Sequence, residues 1–184
     1  MKLSKKAEYG LRALINLGIA QEVGHDRVPA ATLATADNLP LKFLEQILLQ
    51  LRAAGYVDTV RGKSGGYFAA KPTREIKIGE IVRLLDGPLA PIGCASKTAY
   101  ERCSCPDETH CGLRMLMIDV RNAVSNILDR YSLHDVVEIT LRKLRRDGVD
   151  HYFLTPQDSL PLPVDQERAN PADGFLAELT RPHE

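Results

Sequence analysis

No run of about 18 apolar residues interrupts this 184-residue, 20.4 kDa chain, which excludes a membrane-spanning helix. The opening MKLSKKAEYGLRALINLGIA places basic residues before apolar ones, as a signal peptide does. Glu8 and Arg12 break its apolar part, and no small-residue cleavage site follows, so it reads as a mature cytoplasmic helix. Signatures of common enzymes are missing as well. There is no glycine-rich phosphate loop followed by lysine, no G-x-S-x-G, no H-E-x-x-H and no nucleotide fingerprint, and neither an enzymatic activity nor a small-molecule substrate is expected. Cysteine is absent except at Cys94, Cys103, Cys105 and Cys111. Core cysteines would be scattered, whereas thiols gathered in one polar loop, with no secretion signal, point to metal binding or redox chemistry. Net charge is also absent, with 24 basic and 24 acidic side chains. Divided at residue 72, however, the first part carries 10 basic and 6 acidic groups and the remainder 14 and 18. A basic N-terminal part suits a polyanion.

With 44% hydrophobic and 26% charged residues the composition is that of a folded globular protein, one domain or one with an appendage. Residues 3–20 carry an apolar stripe with Ser4 as the N-cap candidate. A short helix fits Pro29 to Ala36, and a second runs from Pro40 to about Ala54. In the second, Leu41, Leu44, Leu48 and Leu51 make a buried face, while Lys42, Glu45, Gln46 and Leu49 lie on another. Two short helices joined this closely describe a helix-turn-helix. YVDTV and GYFAA then flank a basic loop, Arg61 to Gly65, as a hairpin with a glycine-rich tip. The order predicts a mainly α fold with a small β-hairpin wing, a winged helix-turn-helix over 1–72.

Residues 73–92 read as a connecting helix, Ile78 to Leu85, and a turn at Gly87-Pro88, followed by the cysteine loop over 93–111. From Gly112 to Tyr131, Leu113, Leu116, Val120, Val124, Ile127 and Tyr131 form a near-heptad seam on a helix about 30 Å long. This helix is too long to be covered by the N-terminal domain alone and is expected to form a homodimer, as DNA readers of this size do. One more amphipathic helix spans 133–147, completing a unit over 112–150. Residues 151–184 are expected to be a mostly disordered tail, rich in Pro, Asp and Glu from Thr155, with a short helical turn at 174–179.

The pieces KLSKKAEYGLRAL, Val28-Pro29, PLKFLEQILLQLRAAGYV, VRGKSGGY and IGEIVRLLDGP, with the cysteine loop and long helix, resemble the bacterial winged-helix regulators typified by IscR, NsrR and CymR. The resemblance covers about residues 1–145. It implies a homodimer on palindromic promoter DNA, with an iron–sulfur cluster in many members. By position it implies major-groove contacts from Lys42, Glu45 and Gln46. Pro29, Arg61, Lys63, Ser64, Gly65 and Gly66 would reach backbone and minor groove. The chemistry agrees: Gln pairs with adenine, Glu accepts from cytosine, and Arg fits a narrow minor groove.

The loop spacing, Cys94-x8-Cys103-x-Cys105-x5-Cys111, lacks the C-x2-C knuckles of zinc ribbons, while thiolates suit iron–sulfur clusters. In cluster-bearing relatives three loop cysteines are ligands. Cys94, Cys105 and Cys111 match them, leaving Cys103 as a fourth ligand, a replacement for Cys105 or a spare thiol. Arg114 stands where IscR-like members have a histidine. Glu8 stands where NsrR-like members donate a carboxylate across the dimer, and His110 is a further candidate. Cluster type, 2Fe–2S or 4Fe–4S, stays open. The expected function is a regulator, a repressor by preference, whose promoter affinity follows cluster state. A cluster-free thiol- or partner-controlled regulator and an electron-transfer protein are the alternatives.

Overall fold

The computed structural model describes residues 2–62, 64–154 and 174–180. Its elements run α1 (Lys5–Glu22), α2 (Ala30–Ala36), α3 (Leu41–Ala53), β1 (Val57–Val60), β2 (Gly66–Ala69), α4 (Ile78–Asp86), α5 (Gly112–Arg130), α6 (Leu133–Asp147) and α7 (Phe175–Thr180). The expected mainly α fold with a hairpin wing is present.

α1 is the central helix. Ser4 caps it, accepting from the Ala7 N–H at 3.2 Å, and binds Asp86 at the end of α4 through both its backbone N–H and its hydroxyl. The helix buries Ala7, Ala13, Leu14, Leu17 and Ala20, small and large residues that admit neighbours on several sides. Two glycines let neighbours close in: a Cβ on Gly10 would run into Leu85 Cδ1 of α4, and one on Gly18 would lie 2.6 Å from Val137 Cγ2 of α6. α3 packs Leu44, Ile47, Leu48 and Leu51 inward, the i, i+3, i+4, i+7 stripe of a half-buried helix. Leu41, expected in that face, is instead 38% exposed, because it opens the helix directly after Pro40 and projects beyond the core. Pro29 and Pro40 themselves sit just before α2 and α3, not inside their first turns.

β1 and β2 pair antiparallel, Val57 with Ala69 through Val60 with Gly66. Val28 adds a bridge to Tyr67, with N–H···O distances of 2.9 and 2.8 Å, so the chain entering α2 becomes a one-residue third strand of the wing.

No residue of α5 is buried. Of the expected seam, Leu113, Leu116, Val120 and Ile127 are exposed, and Val124 and Tyr131 are half-buried. The α5–α6 corner is stitched to the segment before α4: Ile78 N–H donates to Tyr131 O, and Leu133 N–H to Ile76 O. α6 opens with a capping box between Ser132 and Asp135.

Arg83 on α4 grips Asp129 on α5 with two hydrogen bonds of 2.6 and 2.7 Å, which hold the Asp129 carboxyl below the usual carboxylate range. The pair is partly exposed and is worth up to about 1 kcal/mol. A folded-state value below the unfolded one contributes stability that is present above roughly pH 4 and is lost as pH falls through the folded value. Asp129→Asn is expected to lower unfolding free energy at pH 7 by up to about 1 kcal/mol and to flatten the loss below roughly pH 4. Urea titrations of both chains at pH 7 and pH 3 check this.

The expected tail boundary at residue 151 is corrected. Phe153 is 7% exposed within the main core, and Tyr152 and Leu154 pack against it. Three large apolar side chains in succession repay the ordering of so short a segment. The expected turn at 174–179 is present as α7, where Phe175 meets Tyr131 edge-on at 4.8 Å. The remainder of the expected tail lies outside the described residues.

Candidate nucleic-acid interface and cysteine loop

α2 and α3 are joined by residues 37–40, with Asn38 at φ 51°, a left-handed conformation that asparagine tolerates. The turn is closed by Leu39 N–H to Ala34 O at 2.8 Å and is held to α1 by Arg12, whose guanidinium binds the Asp37 carboxylate and backbone carbonyl. Tyr9 of α1 packs edge-on against Phe43 of α3 at 5.8 Å. With its inner face so occupied, α3 turns Lys42, Glu45, Gln46 and Leu49 to solvent. That face offers an ammonium, a carboxylate and an amide, the groups that read base edges.

In the wing, Arg61 and Ser64 are exposed and Gly65 is half-buried, its N–H closing the tip onto Gly62 O at 2.9 Å. Lys63 lies outside the described residues. Gly66 differs from its expected place at a contacting tip. It is buried, and a Cβ there would stand 2.7 Å from Val28 C and 3.0 Å from Pro29 N. Its lack of a side chain lets the wing root close on the start of α2, so exposed Pro29 and the wing form one continuous edge.

The cysteine loop is tied to α5 by two arginines, Arg114 and Arg121, the second of which no motif had marked. Arg114 donates to Cys94 O at 3.0 Å and pairs with Glu108 at 3.1 Å, while Arg121 donates to Ala95 O. Glu108 also accepts from the Tyr100 hydroxyl at 2.7 Å. Arg114 thus fastens the loop at the position where a histidine ligand was considered. Cys94 is buried in a short 3-10 turn, Gly93–Ala95, Cys111 immediately precedes α5, and Cys105 is exposed.

The four thiols interact in sequence, Cys94 with Cys103, Cys103 with Cys105, and Cys105 with Cys111. Burial pushes the Cys94 thiol up. Hydrogen bonds from Cys105 hold Cys103 down, and the same contact pushes Cys105 up to about 11. Cys103, the extra cysteine, is therefore inside the thiol chain and links its two ends. The thiols are soft donors of the type iron–sulfur clusters use. Among the described residues, however, no three His, Cys, Asp or Glu side chains are gathered closely enough to hold a metal ion. His110 is exposed and bound to Asp107 at 2.6 Å.

Glu8 is on α1, paired with Lys5 at 2.8 Å and Arg12 at 3.7 Å, and Lys5 above all holds its carboxyl below the usual range. Arg12 therefore touches both Glu8 and Asp37, a link with no signature in the sequence. Among the described residues no helix is long and apolar enough to cross a membrane.

A solved structure of CymR, the global cysteine regulator of Bacillus subtilis, superposes with a TM-score of 0.62 at 33% identity, covering 75% of this chain and 97% of that one. A solved structure described as T. potens IscR gives a TM-score of 0.59 at 30% identity, covering 75% of this chain and 87% of that one. In sequence, an rrf2-like HTH-type transcriptional regulator of Rhodobacter capsulatus is 40% identical over 139 residues, 73% of this chain and 91% of the relative. NsrR of Geobacillus kaustophilus is 32% identical over 149 residues, 80% and 98%. The family described as Rrf2, iron-dependent transcriptional regulator, matches residues 3–139, and this chain, with its winged helix-turn-helix and thiol-bearing loop, belongs to the Rrf2 family of transcriptional regulators.

Proposed function

We propose that this regulator is a cytoplasmic homodimer that represses promoters through α3 and the wing, and that an iron–sulfur cluster held by the cysteine loop sets its DNA affinity. The observation that carries the cluster reading is the chain of four mutually interacting thiols on a loop fastened to α5. Cys94, Cys105 and Cys111 would hold the cluster, with Cys103 in reach and Glu8 supplied from the partner subunit. When bound, such a cluster supplies a redox- and nitric-oxide-sensitive charge whose loss or alteration changes what the loop cysteines are tied to.

The exposed apolar seam of α5 is the dimer contact, since a face of this kind is covered in a stable regulator. Arg114 and Arg121 carry a loop rearrangement into α5, and Arg83 with Asp129 carries it to α4, which packs on α1. Glu8 shares Arg12 with Asp37, so a change of partner at Glu8 reaches the turn before the recognition helix. A coupling of about 1–3 kcal/mol along these contacts shifts promoter occupancy roughly 5- to 150-fold.

A cluster-free thiol switch is the second reading. The absence of a gathered metal-binding group among the described residues favours it, as does the likeness to Staphylococcus aureus CymR, solved in an oxidised form. Iron and acid-labile sulfide analysis with a visible spectrum, on anaerobically purified protein, decides between them. A brown protein with near-stoichiometric iron and sulfide is expected, with Cys94→Ser and Cys111→Ser colourless. A wild-type chain that stays colourless and iron-free after anaerobic reconstitution overturns the cluster and leaves the thiol switch.

A further inference from the structure

We propose that residues 150–154 form a strap that positions the turn of the helix-turn-helix, with Phe153 as its anchor. The strap lies beyond residues 3–139 of the family match. After α6 the chain turns back, closed by Val149 N–H to Leu144 O at 3.1 Å and Leu154 N–H to His151 O at 2.8 Å. Phe153 enters the core that also holds Leu14, Leu17 and Leu33 of α1 and α2. Its ring is met by His25 at 5.8 Å, from the loop between α1 and α2, and by Tyr152 at 5.2 Å.

The second contact is polar. Asp37 ends α2, and Arg12 takes one carboxylate oxygen, while Oδ2 is buried with no hydrogen-bond partner. His151, half-buried, feels that carboxylate: burial pushes its pKa down and Asp37 opposes the shift. The strap therefore places an imidazole in the field of an incompletely satisfied carboxylate at the first residue of the turn. Four residues later α3 begins, so a small displacement at Asp37 shifts the whole recognition face. Base-edge hydrogen bonds tolerate little displacement, whereas phosphate contacts are more forgiving. The strap is thus a positioning element for sequence-specific binding. The inference rests on DNA recognition by α3 and is independent of the cluster.

The test uses full-length chains and two duplexes: one selected from a random pool by the wild-type protein, and a scrambled duplex of equal length. Phe153→Ala is expected to weaken binding of the selected duplex about tenfold, with scrambled-duplex binding unchanged within about twofold. Amide exchange over residues 37–45 is expected to accelerate in the same chain, and Phe153→Leu to restore most of the affinity. Selected-duplex affinity retained within about twofold overturns the proposal, as does equal loss on both duplexes, which marks a general loss of the folded head. Where the alanine chain does not fold, Phe153→Val is read under the same limits. His151→Gln leaves the anchor in place. Faster exchange confined to residues 37–45 supports the polar contact, and unchanged exchange removes His151 from the strap's role.

Discussion

Glu45→Ala with Gln46→Ala is expected to abolish discrimination between operator and random DNA while leaving non-specific binding nearly intact. Both side chains stand exposed on α3, one turn past the start of the helix, with Leu44 and Ile47 beside them turned into the core. Neither substitution removes a core contact, and alanine is the best helix former, so the fold is retained. A good base-edge contact is worth roughly 1–3 kcal/mol of discrimination, so the pair together controls on the order of 100-fold or more in specificity. Arg61→Ala provides the contrast. Arg61 is an exposed cation on the wing, suited to backbone or minor groove, and its loss is expected to weaken all sequences alike and to reduce the salt slope by about 1. Titrations of selected and scrambled duplexes at several salt concentrations separate the two patterns. Uniform weakening by the α3 double variant would remove α3 from base readout.

A single methyl group at Gly66 carries a large expected cost in stability. The added Cβ of Gly66→Ala would lie 2.7 Å from Val28 C, 2.9 Å from Val28 O and 3.0 Å from Pro29 N. All three are backbone atoms, which have no rotamer to move aside. They belong to the bridge between Val28 and Tyr67 and to the entry of α2, so relief requires parting the wing from the helix-turn-helix. Overpacking of this kind costs about 1–3 kcal/mol, and separation of the bridge adds the loss of its two hydrogen bonds. We expect a loss of roughly 3 kcal/mol in urea unfolding, with weaker DNA binding as the wing root shifts. Gly18→Ala is a useful comparison. Its added atom meets Val137 Cγ2, the end of a side chain on α6, which has some freedom to give. A Gly66→Ala chain as stable as wild type would show that the wing root is not packed as described.

The helix-turn-helix, wing, long helix and following helix were legible in the chain because each has a local cause. Apolar spacing sets α3 and α6, Ser4 begins α1, and glycines cluster at the tip of the hairpin. The outward placement of Lys42, Glu45 and Gln46 followed from the same spacing, because a helix with one apolar stripe has a determined outer face. The grouping of cysteines was equally plain, being a property of sequence distance alone. Other features depend on residues far apart in the chain. Burial of Gly66, the hold of Arg114 and Arg121 on the cysteine loop, and the shared use of Arg12 by Glu8 and Asp37 leave no periodic trace. The same is true of Phe153, which stands just before the Pro-, Asp- and Glu-rich run that begins at Thr155. Local pattern by itself determined which helices and strands form and which faces they present, since those depend on neighbours within a few residues. Tertiary structure alone decided how the wing closes on α2, how the loop is fastened to α5 and where the chain after α6 comes to rest. Those outcomes depend on distances between segments, which only the packed core establishes.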